Sequence, residues 1–251
     1  SYSYALVITE AFKEKKIELV FTNSIDRLFI IVEEGASVEL IESHTHVGLS
    51  TNIIEYMIGA DARVRLFSKE RGEVSVVSRY FTLAKNSFLQ TYSEHLQGEI
   101  IRNENTIRLV GNNSEAVVLG VNRLSGDLQS DTRLTVHHDA RNTRSKTAYR
   151  YLVDDTSTGI FGGMIVIAKG ADKTEADMTT KAILESDTAK MYGEPQLEIY
   201  NDDVICTHGA STGTIDKDAL FYLQSRGIEE NEAKKQLTES FLNEPISLLT
   251  H

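Results

Sequence analysis

"GGMIVIAKGADKTEADM", residues 162–178, reads as two alternating, β-branched segments on either side of a small-residue turn at Gly170-Ala171-Asp172. "LFIIVEEGASVELIES" (28–43) and "IIEYMIGADARVRLFS" (53–68) repeat the arrangement. Corners starting at Gly35, Gly59, Lys85, Gly111, Asp139 and Gly170 follow one another at intervals of 24, 26, 26, 28 and 31 residues. Gly and Asn tolerate the positive φ that such corners need, and Ala and Ser leave room for close stacking. A loose repeat of this length, built from strands, predicts a solenoid in which each coil buries its apolar face against the next. A β-sandwich would place its turns about every 8 to 12 residues, and the strongest turn signals here lie farther apart. Pro195 and Pro245 are the only prolines, so no missing donor interrupts the ladders from Leu28 to Met191.

The pattern changes after Ser211. "DKDALFYLQSRGIEENEAKKQLTESFLNEP" (216–245) reads as a helical pair. Asp216 caps the first helix, Leu220, Phe221 and Leu223 give it an apolar face, and Gly227 stops it. In the second helix Ala233, Leu237 and Phe241 recur on one face, Glu229, Glu230 and Glu232 suit the first turn, and Pro245 ends it. The expected architecture is mainly β: a β-solenoid domain over 1–212, then a helical hairpin over 213–251.

The 251 residues are enough for one large domain, with 41% hydrophobic and 25% charged residues. A net charge of −11 argues against nucleic acid or anionic lipid as the main partner. The most basic stretch, Arg141 to Lys146, is short and carries no aromatics. A lone cysteine excludes an internal disulfide and a self-contained iron–sulfur protein. No apolar run approaches a membrane span, and the start lacks the pattern of a signal peptide, so the cytoplasm is the expected location.

Cys206 and His208 stand two apart on a strand, so they project to one side, a thiolate and an imidazole suited to iron or zinc. Taken alone, the pair favours a structural reading, because free cysteine is among the most buried residue types. His44 and His46 share the spacing and are read as surface histidines. His137 and His138 point to opposite faces if extended, so at most one joins a site; a bend would bring Asp131 near His138. The glycines at 159, 162 and 163 form neither a phosphate loop nor a dinucleotide fingerprint, and no nucleophile elbow or H-E-x-x-H occurs.

Residues 195–228, "PQLEIYNDDVICTHGASTGTIDKDALFYLQSRGI", resemble the C-terminal signature of the SufB/SufD family of the SUF iron–sulfur cluster assembly system, and its SufD branch in particular. "GIFGGMIVIAKGADKTEADMTTKAILES" (159–186) is similar to the family's F-x-G-x-I-x-V-x-x-G-A-x-K-T-x-A stretch. "DTRLTVHHDARNTRSKTAYRYLV" (131–153) is similar to its D-x(6)-H followed by N-T-x-S. The resemblance covers about 100–245 well, and the first hundred residues only in style. It implies a right-handed parallel β-helix, a C-terminal helical domain on which a SufC-like ABC ATPase docks, and a SufB-like subunit or a second copy alongside. Cys206 and His208 match the C-x-H positions implicated in iron acquisition or cluster assembly. Asp131 and His138 then become interface or site support, and Leu220, Phe221, Tyr222 and Arg226 the docking residues. What it implies is a non-enzymatic scaffold with no permanently bound cofactor and a transient iron or iron–sulfur cluster at a shared interface.

Departures narrow the match. SufB carries Glu-His-Glu where this chain has Thr207-His208-Gly209, and a further Cys that is absent here, which favours SufD over an autonomous scaffold. Asn142-Thr143 is closer to SufB, which leaves an ancestral SufB/SufD homodimer open. The family's usual N-terminal helical region has no counterpart, as in a compact homologue or a truncated chain. Two further readings stay open: a β-helix enzyme acting on carbohydrate through Asp131, Asp154 and Asp155, and a metal-binding homodimer using Cys206 and His208 from each chain.

Overall fold

The computed structural model describes residues 3–12, 15–22, 25–95 and 98–250. β1 (Ser3–Ile8), β2 (Lys15–Phe21), β3 (Ile25–Val32), β4 (Ser37–His44), β5 (Leu49–Ile58) and β6 (Arg63–Glu70) open the stack. β7 (Val74–Leu83), β8 (Phe88–His95), β9 (Ile100–Leu109), β10 (Glu115–Leu124), β11 (Gln129–His138) and β12 (Arg144–Val153) continue it. β13 (Thr158–Ile167), β14 (Thr174–Leu184), β15 (Lys190–Ile199) and β16 (Val204–Gly213) complete it. Odd-numbered strands form one eight-stranded sheet in sequence order and even-numbered strands the other. Every pairing is parallel, so each coil gives one strand to each sheet. This is the parallel β-solenoid expected from the corner intervals.

Register stacks like on like inside. Ile30, Tyr56, Phe81, Ile107, Val136 and Ile165 form one column through the odd sheet, each at most 1% exposed. The Tyr56 and Phe81 rings stack at 4.5 Å. Burying each such side chain stabilises by roughly 1.5–3 kcal/mol, so a column of six is a main source of cohesion.

The corners continue the ladder. Asp61, Asn86, Asn113, Asn142 and Lys173 all have φ between 51° and 62°. Each donates its backbone N–H to the next coil, for example Asn86 N to Asn112 O at 3.0 Å and Asn142 N to Asp172 O at 2.8 Å. Side chains add a second ladder: Asn86 Nδ2 donates to Asp61 Oδ1 (2.9 Å), Asn113 to Asn86 (2.9 Å) and Asn142 to Asn113 (2.5 Å). Asn is suited to this position because it tolerates the left-handed region and carries both donor and acceptor.

After β16 come α1 (Lys217–Ser225) and α2 (Glu230–Asn243), then a 3-10 turn, Pro245–Thr250. The Asp216 side chain accepts from the Asp218 and Ala219 amides, and Glu229 caps α2 in the same way. Gly227, at φ 86°, ends α1. α2 and the 3-10 turn lie on the flank of the even sheet, where Leu242, Phe241, Ile246, Leu248 and Leu249 join Tyr92, Val117, Leu119, Val121, Ala148 and Leu152. The buried stripe of α2 is Ala233, Thr238 and Leu242, rotated from the expected one, because α2 touches both α1 and β12.

The asparagine ladder gives a direct test. Asn113→Ala removes both side-chain rungs and forces a Cβ-bearing residue without local bonds into φ 62°, which should cost about 1–2 kcal/mol. Asn113→Gly, which meets the same φ freely, should cost less, and urea unfolding of the two variants separates backbone from ladder.

Candidate functional site

β16 places Cys206 over Ala176 and His208 over Met178. Followed back through the even sheet, the Cys206 column is Val38, Val64, Leu89, Ala116, Ser145 and Ala176, all buried. The His208 column contains Leu40, Leu66, Thr91, Val118, Thr147 and Met178. Both residues therefore occupy inward-facing positions. No coil lies beyond β15 and β16 among the described residues, so Cys206 is only half-buried and His208 is exposed.

Across the same coil, His208 Nδ1 lies 2.9 Å from the carbonyl oxygen of Pro195. A carbonyl oxygen only accepts, so Nδ1 carries the hydrogen and the neutral ring presents its lone pair at Nε2, as a metal ligand must. Burial pushes the Cys206 thiol up, partly offset by a backbone hydrogen bond with Ala176. The thiol is therefore protonated at neutral pH and would bind as thiolate only when a cation displaces the proton. Among the described residues no three His, Cys, Asp or Glu side chains gather to hold a metal ion, so this chain offers two ligands.

The supporting residues are not brought to this pair. His138 is fully buried, its Nδ1 2.7 Å from Thr143 Oγ1 and its Nε2 2.9 Å from Ser145 Oγ. Ser145 lies two strands below Cys206, roughly 9.5 Å away, with the Ala176 layer between. Asp131 faces outward on the same unbroken strand, between Arg133 Nε (2.8 Å) and Arg102 (3.5 Å), so no bend unites it with His138. Asp155 stands at a corner and accepts from the Gly126 amide, apart from Asp131. On α1, Leu220 is half-buried, whereas Phe221 and Tyr222 are 71% and 58% exposed. Arg226 lies 5.3 Å over the Tyr222 ring, so these two make one outward patch, with Phe221 exposed next to Tyr222 in the chain.

Residues 14–241 match the family model described as SUF system FeS cluster assembly, SufBD core domain. The chain belongs to the SufBD core family. Over 165 residues it is 34% identical to the iron–sulfur cluster assembly protein SufD of Escherichia coli, covering 64% of this chain and 38% of that protein. A SufBD family protein of Synechocystis is 24% identical over 91% of this chain and 55% of its own length. The chloroplastic protein ABCI7 of Arabidopsis thaliana is 24% identical over 88% of this chain and 48% of its own. The chain thus spans about half the length, or less, of the curated relatives it matches. No helix among the described residues is long and apolar enough to cross a membrane.

This SufBD core also holds a charged network that the sequence reading missed. His44 is not a surface residue but fully buried, its ring stacked on Phe21 at 4.4 Å. His46 is partly buried, with Nε2 3.2 Å from the Val74 carbonyl. Arg79 donates to Glu42 Oε2 from Nε (2.7 Å) and Nη2 (2.5 Å), to Glu70 Oε1 (3.0 Å) and to Asn103 Oδ1 (2.7 Å). Tyr56 donates to the other oxygen of Glu42. Burial alone would raise the Glu42 carboxyl, but the Arg79 charge and the His44 bond outweigh it and hold it at about 2. The signal lay in parity: Glu42 and His44 fall in step with Val38 and Leu40, which face inward.

Burial holds both His95 and His138 down at about 4, below the ordinary 6.5. The unfolded chain then takes up protons that the folded one refuses, so their stability is full above pH 6.5 and falls as pH drops towards 4. Each contributes roughly 3 kcal/mol across that window. Urea midpoints should fall from pH 7.5 to pH 5, and His138→Leu should flatten the fall by one histidine's share. An unchanged slope in His138→Leu would show that His138 is not buried in the neutral form.

Proposed function

We propose that this chain works as a SufD-like, non-enzymatic scaffold in iron–sulfur cluster assembly, with iron or a nascent cluster as its cargo. One observation carries the reading: Cys206 and His208 face inward on a coil beyond which no further coil lies among the described residues, with His208 Nδ1 turned to the Pro195 carbonyl so that Nε2 presents the lone pair. Two ligands are too few for a stable site, because iron and zinc sites draw about four. The remainder comes from a neighbour, a SufB-like subunit or a second copy of this chain.

The end of the solenoid is suited to such a neighbour. β15 and β16 close the two sheets with outer edges that no described strand pairs, and Tyr192, Ile199, Tyr200 and Ile205 stand exposed there. In this reading residues 1–212 are the scaffold and 213–251 its docking arm. A SufC-like ATPase seats on Phe221, Tyr222 and Arg226, aromatic and arginine side chains of the kind that anchor interfaces. Leu220, half-buried beside them on α1, completes the docking set. A lone thiol with iron chemistry suits a reducing compartment, the cytosol.

Two experiments test the reading. Anaerobic co-purification with a cysteine-bearing homologue should retain iron, and His208→Gln should lower iron per complex by roughly tenfold or more, since even outer-shell partners of ligands are worth that much. Cys206→Ser should lower it as well; iron unchanged in both variants would remove the pair from the site. Separately, Phe221→Asp should abolish recovery of the ATPase while leaving the unfolding midpoint of the solenoid in place. Undiminished recovery would contradict the docking assignment.

A further inference from the structure

On the outer face of the even sheet, cations meet carboxylates one strand away. Lys16 reaches Glu39 at 3.4 Å, Lys69 reaches Glu94 at 3.6 Å and Arg144 reaches Glu175 at 3.5 Å, each with its partner in register. Arg63 and Arg65 on β6 depart from this pattern. Both are exposed and stand two positions apart on one face, with Cα atoms about 6.6 Å apart. The register neighbours of Arg63 are Ser37 and Phe88, and those of Arg65 are Glu39 and Gln90. Glu39 is engaged by Lys16, and Gln90 is buried with its side-chain nitrogen donating to the Leu248 carbonyl at 3.2 Å. Among the described residues neither guanidinium has an acceptor, nor does the Ser37 hydroxyl; Arg63 lies 5.4 Å over the Phe88 ring instead. Ser37, Glu39, Arg63, Arg65 and Phe88 together line a recess of about 350 Å³.

We propose that this recess binds a phosphate group, free or carried on a small organic molecule. The chain has 37 acidic residues against 26 basic ones, yet no carboxylate is set against these two arginines. Two like charges side by side repel, and a counter-ion from solution relieves that repulsion. The donor set selects the kind of anion. A carboxylate offers two oxygens in one plane and satisfies a single guanidinium fork. A phosphate dianion offers three oxygens on a tetrahedron, enough for both forks and the Ser37 hydroxyl at once. Glu39 stands at the edge of the recess, but its charge is matched by Lys16. Phe88 adds an apolar surface beside the arginines, on which the organic part of a phosphate ester would rest. β6 and β16 lie five strands apart in the even sheet, about 24 Å, so this site is separate from Cys206 and His208 and stands independently of the reading given above.

The test is calorimetric titration of the full chain with inorganic phosphate and with phenyl phosphate, at an ionic strength held constant with chloride. The wild type should bind with a dissociation constant on the order of 1 mM, the range that a few solvent-screened charged hydrogen bonds support. Arg63→Gln/Arg65→Gln should weaken binding at least tenfold. Both side chains are exposed, so the urea midpoint of this variant should stay in place. Arg144→Gln removes the same charge from a paired site on the same face and should change the affinity less than twofold. Tighter binding of phenyl phosphate than of inorganic phosphate identifies an ester whose ring rests on Phe88, and equal or weaker binding identifies the free ion. No binding of either probe, undiminished binding in Arg63→Gln/Arg65→Gln, or an equal loss in Arg144→Gln each overturns the assignment.

Discussion

Every feature of this molecule depends on one constraint: each coil must hold its backbone donors and acceptors in step with the coil before it. The residues at φ 51–62° make that continuity pass through the corners, where a β-ladder would otherwise stop. Once the register is fixed, so is the side of every strand residue. Cys206 and His208 face inward because Ala176 and Met178 do, and those follow from the coils beneath. The candidate site is therefore a property of the whole stack, expressed where the stack runs out.

That dependence explains what the sequence revealed. The corner spacing needs only Gly, Asn and small residues at regular intervals, and these are visible without any knowledge of packing. The caps at Asp216 and Gly227 were equally plain, because local hydrogen bonding and φ decide them. The direction of each face was less visible. In "SVELIESH" both alternating sets contain apolar and charged residues, so charge suggested an exposed His44 where register places it inside. Arg79 and its two carboxylates were hidden for the same reason: a charge inside a solenoid contradicts burial statistics unless its partners, nine and 37 positions away, are already known. The separation of Asp131 from His138 follows from parity on one unbroken strand, and the motif resemblance concealed it.

At the site the two readings of Cys206 turn out to share one geometry. A thiol in a core column and a thiol beside a metal differ only in whether another coil follows. The same economy governs the helical hairpin. One apolar surface of the even sheet accepts α2 and the 3-10 turn, and a deeply buried cation there, Arg150, is matched to Glu244 at the end of the helix. The arm is therefore held to the flank, and the terminal coil stays open.

The stack is also uneven. Lys15 pairs with Val38 near the start, whereas Thr158 pairs with Lys190 near the finish, so the later circuits use more residues than the early ones. β1 and β2 are six and seven residues long, and β15 and β16 are ten each. The broader coils are filled by Tyr149, Tyr151 and Phe161, with Gly120 giving the Tyr149 ring its place. Among the described residues the longest circuits thus lie towards the coil that carries Cys206 and His208. The pair therefore sits among the longest circuits of the stack, and any surface laid over it has to span that wider coil.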